Sequence, residues 1–379
     1  MSCKVRSYEN PIYENSHENV YKKRVELRKN IQKNKNKRLT FFTVFSFILG
    51  FILFSQFINF YDNFFIKRIH NSTIKIPDGS SFMRSSEQYF TNDYFLGTRT
   101  LADFNSNDAL MKKPSLSSSM PTLTNRLKNL SAQYSSLEPG IFIWDFSTGK
   151  YVDINADKEF PTASIIKIPI LLQLFRKIDA NLIGLQDKMS ITDYYLTGGS
   201  GFLQYKPIGT VLSVNELAQF MIQESDNTAT NMLLSTIGGV DGLDRALRNW
   251  GFNKTHLSNW LPDLEGTNVA TPKDLGTMLY NIDNSNLLSL RNRAKIVEIM
   301  SHVKNRFLIQ AGLPDNAQFI HKTGDIGTML GDAGIVLLPD GRKYIIVIMV
   351  KRPWNSYGAK QFIIDASKAV YNSYASNNL

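Results

Sequence analysis

The sequence predicts an α+β fold: an antiparallel sheet flanked by helices and carrying an all-helical lobe, preceded by one transmembrane helix. Three observations predict it. Helix and strand patterns stand at both ends of the region after residue 117, a series of helical patterns lies between them, and an uncharged apolar run precedes them all. Terminal strands separated by helices complete a single sheet most simply. The cleft between sheet and lobe is then the natural place for a site.

The elements follow in chain order. Up to Arg38 there are eleven basic residues against four acidic ones, so this tail carries +7 of the net +10 of the whole chain. Next comes Leu39 to Tyr61, free of charge and rich in Phe, Ile and Leu; at ~1.5 Å per residue it reaches roughly 35 Å, enough to cross a bilayer core. Phe51 to Phe60 offers no small-residue cleavage pattern, so the run reads as an uncleaved anchor over 39–61 rather than a removed signal. Basic residues concentrated before it place the 1–38 tail in the cytoplasm and the bulk of the chain outside, in an extracytoplasmic (periplasmic) space. Residues 62–117 are rich in Ser, Asn and isolated aromatics without regular period and read as a flexible tether.

The folded domain is expected over 118–379. Leu123, Leu127 and Leu130 repeat at helical spacing, and Gly140 to Phe146 with Tyr151 to Ile154 flank the turn Ser147-Thr148-Gly149-Lys150 as a hairpin. Ser213 with Glu216 makes a capping box before Leu217 to Ile222, and helices follow near Thr228 to Ile237, Gly242 to Trp250 and Pro272 to Ile282. Phe319 to Thr323, Ala333 to Leu338 and Tyr344 to Val350 are strands, the last two joined by Pro339-Asp340-Gly341. A helix over about Lys360 to Tyr374 closes the chain.

Composition excludes several function classes. With 43% hydrophobic and 12% aromatic residues the chain is not disordered. Its positive charge sits beside an apolar run, which marks topology rather than nucleic-acid binding. The single cysteine, Cys3, lies in the tail, so no intramolecular disulfide forms. None of His17, His70, His256, His302 and His321 stands at metal-ligand spacing with another ligand, and no metal or other cofactor is expected. Gly198-Gly199-Ser200-Gly201 lacks the lysine and strand-loop-helix setting of a phosphate loop and reads as a cleft-rim turn.

Chemistry starts from Ser-x-x-Lys, a pattern this chain contains four times: Ser72/Lys75, Ser147/Lys150, Ser164/Lys167 and Ser301/Lys304. Ser164 alone has the right setting. Phe160-Pro161-Thr162-Ala163 leads into the apolar run Ile165, Ile166, Ile168, Leu171, Leu172, so the serine opens a helix and Lys167 follows one turn on, on the same face. A serine hydroxyl needs a neighbouring base, and a lysine serves if desolvation and nearby cations leave it partly neutral. Taken singly, Ser164 also reads as a plain N-cap beside a solvated lysine. Ser225-Asp226-Asn227, between two helices, supplies a hydroxyl for proton relay and an amide for substrate, or simply caps the following helix. Lys322-Thr323-Gly324 ends a strand, where Lys322 and Thr323 can hold a carboxylate and Gly324 lets substrate backbone lie close; its plainer reading is an edge strand guarded by a lysine.

Together, in this order, the triplets resemble those of class A β-lactamases and penicillin-binding proteins. The resemblance covers about Met120 to Ser376 and includes Ser225-Asp226-Asn227-Thr228-Ala229-Thr230-Asn231, Lys322-Thr323-Gly324-Asp325 and Asp332-Ala333-Gly334. It implies a β-lactamase/transpeptidase-like fold, Ser164 as acylated nucleophile, Lys167 as its proton acceptor and Ser225 in proton relay. It further implies Asn227 and Lys322 in substrate binding, Thr323 on the substrate carboxylate, and the N–H groups of Ser164 and Asp325 as oxyanion hole. The implied partner is a β-lactam or a peptidoglycan peptide; no oligomeric state is implied.

One stretch departs from the family. Class A enzymes release the acyl group with a glutamate in an E-x-x-L-N stretch, where this chain has Trp260-Leu261-Pro262-Asp263-Leu264-Glu265. Leu261 stands at the glutamate position and cannot activate water. Asp263 and Glu265 are the candidate substitutes, and otherwise ordinary loop acids. The leading expectation is a class A β-lactamase-like serine hydrolase that opens a cyclic amide. The alternatives are a DD-peptidase-like cell-wall enzyme and a binding or sensor ectodomain that stays acylated.

Overall fold

A computed structural model describes residues 111–283 and 287–376. The expected tail and anchor lie outside these residues, as does most of the tether. Among the described residues no helix is long and apolar enough to cross a membrane.

Helix α1 (Pro121–Ala132) begins with proline at its first turn and buries Leu123 and Leu127. The hairpin β1 (Glu138–Asp145) and β2 (Tyr151–Ile154) follows, then a short strand β3 (Phe160–Pro161), a 3₁₀ turn (Ala163–Ile166) and α2 (Lys167–Asp179). Strands β4 (Lys188–Ser190) and β5 (Val211–Ser213) pair with each other and lead into α3 (Val214–Gln223). Helices α4 (Asn227–Thr236) and α5 (Gly239–Asn249), strand β6 (Val269–Ala270) paired with β3, α6 (Pro272–Asp283) and α7 (Leu290–Ser301) complete the lobe. The chain ends with β7 (Gln318–Ile326), β8 (Met329–Leu337), β9 (Lys343–Lys351) and α8 (Gly358–Ala375).

The main sheet runs β2-β1-β9-β8-β7, antiparallel throughout, so N- and C-terminal strands meet at β1 and β9 as the pattern predicts. One face packs on the lobe through residues such as Phe142, Ile320, Ala333 and Val347; the other packs on α1 and α8 through Ile141, Phe319, Val336 and Ile346. A sheet covered on both faces explains why β9 reads as an unbroken apolar run rather than an alternation. Each fully buried Ile or Phe there contributes roughly 1.5–3 kcal/mol.

Three features differ from expectation. The lobe is not all-helical and the sheet is not single: the short pairs β4–β5 and β3–β6 accompany the helices, too brief (two or three residues each) to show an alternating pattern. Helix α7, capped by the Ser289 hydroxyl on the Asn292 N–H, escapes the sequence reading, because it follows directly on a Ser/Asn-rich stretch. Residues 111–117, read as the end of the tether, instead lie on the domain. Met111 is buried, Asn281 bonds both the N–H and the C=O of Lys112 (3.1 and 2.8 Å), and the Trp144 indole donates to Ser115 O at 3.0 Å. These main-chain anchors carry no apolar period, so no periodicity could reveal them.

Candidate active site

The serine arrives through a strained approach. Among the described residues, five other than glycine take a positive φ; three are asparagines, for which this is ordinary, and the other two are Ala163 (44°) and Ser225 (57°). Both lie in the motifs. Such a conformation costs about 1–2 kcal/mol for an alanine or serine and persists only where surroundings enforce it. At Ala163 it turns the chain from β3 into the 3₁₀ turn, so Ser164 precedes α2 rather than opening it. The hydroxyl is thereby released from capping duty and reaches Lys167.

Lys167 is fully buried, which overturns the solvated reading. Its Nζ lies 3.0 Å from Ser164 Oγ, 2.6 Å from Ser225 O, 3.1 Å from Ser225 Oγ and 3.0 Å from Asn227 Oδ1. Burial, and next the like charge of Lys322, hold its ammonium well below the usual lysine range, against the opposing pull of Asp226. A neutral amine has two N–H groups and one lone pair. The Ser225 and Asn227 carbonyl oxygens can only accept, so they take both N–H groups. The lone pair is left for a serine hydroxyl proton.

The second triplet divides its labour. Asp226 is the N-cap of α4: one carboxylate oxygen accepts the Ala229 N–H at 2.9 Å and the other the Leu203 N–H at 2.8 Å. Only Ser225 and Asn227 turn to Lys167. The Asn227 amide also donates to Gly198 O at 3.1 Å, which ties the 198–201 turn to the site as its rim.

On the opposite side, β7 is an edge strand, yet Lys322 is buried rather than a solvated guard. Burial pushes its ammonium down to about 7, opposed by Asp332. Gly324 is expected to admit substrate backbone, but the space beside it is already filled. A Cβ there would lie 2.6 Å from Thr162 O and 2.8 Å from Ile165 Cγ1, so glycine is needed for β7 to approach the turn carrying Ser164. Asp325 is exposed and ion-paired with Arg352.

These elements enclose a cleft of about 220 Å³ lined by Ser164, Ser225, Lys322, Thr323 and Asp325. Its other walls are Ser200, Gln223, Glu224, Val303, Lys304 and Asn305. The sequence reading misses this second group apart from the rim serine. Lys304 reaches the cleft because its N–H bonds Gln223 O at 3.1 Å and its ammonium pairs with Glu224. Glu224 adjoins Ser225 in sequence; Lys304 stands in the Ser301/Lys304 pattern, but nothing local in 303–305 points to the cleft.

Neither candidate water-activating acid lines the cleft. Asp263 accepts the Thr267 N–H and hydroxyl (3.1 and 2.9 Å) on one oxygen and the Asn268 N–H (2.7 Å) on the other. It is the clamp of its own loop. Glu265 is exposed. Leu261 is buried, its N–H donating to Asn231 Oδ1 at 3.1 Å and its C=O accepting from Asn231 Nδ2 at 2.8 Å. Among the described residues no group of three or more His, Cys, Asp or Glu is placed to hold a metal ion.

Comparison with known proteins agrees with the geometry. Residues 122–374 match the profile of the Beta-lactamase enzyme family. The chain is 28% identical over 275 residues to the β-lactamase VEB-1 of Pseudomonas aeruginosa, covering 66% of this chain and 90% of that protein. Among solved structures it is similar to PBP-A, with 34% identity, TM-score 0.68, and 70% of this chain covering 100% of that one. A leucine-to-glutamate variant of PBP-A, solved as an acyl-enzyme complex with penicillin G, aligns with 33% identity and TM-score 0.67 over 71% of this chain and 99% of that one.

Proposed function

Because the chain belongs to the Beta-lactamase enzyme family, as a β-lactamase-like serine hydrolase, we propose that it opens the β-lactam amide through an acyl-enzyme on Ser164. The observation that carries the residue assignment is the buried Lys167 amine, 3.0 Å from Ser164 Oγ, with Ser225 O and Asn227 Oδ1 as further acceptors around it. Lys167 takes the hydroxyl proton as Oγ attacks the lactam carbonyl. Backbone N–H groups of Ser164 and Asp325 hold the oxyanion. The C–N bond breaks, and Ser225, bonded to the same lysine, passes a proton to the leaving nitrogen. Lys322 and Thr323 bind the substrate carboxylate and Asn227 its amide side chain.

Release needs a water and a base. Lys167 is the ionisable group hydrogen-bonded to Ser164 Oγ, Asp263 is committed to its loop, and a leucine stands at 261. The water proton therefore goes to Lys167, and breakage of the ester returns Ser164 to its hydroxyl form. The uncharged run 39–61 and its basic flank support an anchored enzyme with the tail inside and the domain outside.

The test mixes the full chain in detergent with a chromogenic β-lactam and follows colour and intact mass together. Repeated turnover with a transient adduct, both abolished by Ser164→Ala, is expected. No adduct on Ser164 with any β-lactam would defeat the proposal.

A further inference from the structure

Behind the cleft, on the far side of the sheet, lies a polar pair that the reaction as described leaves unused. Side chains alternate along β7: Phe319 packs in the cluster against α8 and Ile320 in the cluster against the lobe, so His321 falls on the first face and Lys322 on the second. Along β8, Leu330 and Val336 share the α8 face, which assigns Asp332 to it as well. His321 and Asp332 are 1% and 0% exposed, and His321 Nδ1 lies 2.8 Å from Asp332 Oδ1. The other Asp332 oxygen accepts the Ile309 N–H at 3.2 Å.

The surroundings are shaped for this pair. Opposite His321 in the ladder is Gly334, where a Cβ would lie 2.6 Å from both His321 Cβ and the Phe319 ring. The imidazole stacks on Phe319 with centroids 4.3 Å apart. A histidine and an aspartate are costly to bury to this degree, and packing alone would be served better by apolar residues. Asp332 pairs directly with Thr323 in register and lies one residue from the partner of Lys322.

We infer that His321 and Asp332 are positioning residues for the acylation chemistry: His321 orients Asp332, and Asp332 is the through-sheet counter-charge of Lys322. Among the described residues the cleft side of Lys322 offers no anion without another partner. There Asp226 caps α4, Glu224 is paired with Lys304, and Asp325 with Arg352. The only hydrogen bond of the Lys322 ammonium among the described residues is to Thr323 O at 2.9 Å. Around Asp332 the other bonded neighbour is the Ile309 backbone, itself held through its C=O by the Ser367 hydroxyl at 2.8 Å, and neither titrates. At an effective dielectric of about 20, a unit charge roughly 10 Å away shifts a neighbour's titration by about one pH unit.

The inference rests on the proposed acylation of Ser164, and its test separates the two. The rate of acylation by a carboxylate-bearing penicillin is followed by intact mass from pH 5 to 10, for the full chain and for Asp332→Asn. Lys322 binds the carboxylate as a cation, so the rate falls as pH rises through its titration. In Asp332→Asn this alkaline limb moves down by about one pH unit, so that at pH 8 the rate drops about tenfold through KM while kcat changes less. Lys322→Arg, charged throughout, loses the limb near 7. Asp332→Ser, smaller and equally neutral, replaces asparagine if that variant does not fold, and His321→Gln, which keeps a donor and leaves the aspartate charged, retains the limb. A folded Asp332→Asn or Asp332→Ser with the wild-type limb, or a limb that persists in Lys322→Arg, overturns the inference. Absence of any adduct in the wild type defeats the acylation reading instead.

Discussion

Replacing Lys322 by methionine should make the protein more stable and less active, with a stability gain that depends on pH in a defined direction. The ammonium titrates at about 7 when folded, against an ordinary value of 10.5, because burial removes its hydration. At about 1.4 kcal/mol per pH unit, that gap corresponds to about 5 kcal/mol of destabilisation when the lysine is charged in both states, below pH 7. The unfolded chain binds the proton between 7 and 10.5 and the folded one does not, so this group's penalty shrinks as pH rises through that window. At pH 10 about 1 kcal/mol remains. Methionine fills similar volume without charge, but Asp332 then loses its counter-charge, which reduces the gain at pH 6 to about 2–4 kcal/mol. Urea melts of both proteins at pH 6 and pH 10 measure the difference. A gain of equal size at the two pH values, or a loss at pH 6, would refute the argument that Lys322 is a desolvated cation.

The other expectations are briefer. Lys167→Ala slows acylation of Ser164 by about 10²–10⁴-fold, the range for a positioned general base, read by the rate of adduct formation. Asp263→Asn costs about 1–3 kcal/mol in a urea melt, because accepted N–H bonds within its loop are weakened, yet leaves the release rate of preformed acyl-enzyme unchanged. Leu261→Glu accelerates that release by about 10²-fold; an unchanged rate would show that the 258–268 loop does not face the ester. Gly324→Ala forces β7 away from Thr162 and Ile165, lowering both stability, by about 1–3 kcal/mol, and acylation rate.

Much of this was legible because its signals are local. The Ser213/Glu216 capping box, the β8–β9 turn and the strand patterns each rest on neighbouring residues, and the structure has all of them. Ser164 and Lys167 are one helical turn apart, so their meeting could be read from spacing. The division of Ser225-Asp226-Asn227 into a cap and two site groups could not, since it depends on which side chain α2 faces. Contacts made at long sequence separation gave no signal at all: Glu224 with Lys304, and Asn231 with Leu261. The same holds for Gly324, whose need for glycine is set by a turn some 160 residues earlier in the chain.

Asn231 grips Leu261 by its N–H and C=O and asks nothing of its side chain. The path of the main chain at 261 is therefore fixed by two backbone bonds, while the leucine side chain is free to serve the apolar core beneath the loop. A leucine-to-glutamate exchange there would keep both bonds but set a carboxylate among apolar neighbours, so a gain in acyl release would be offset in part by lost stability.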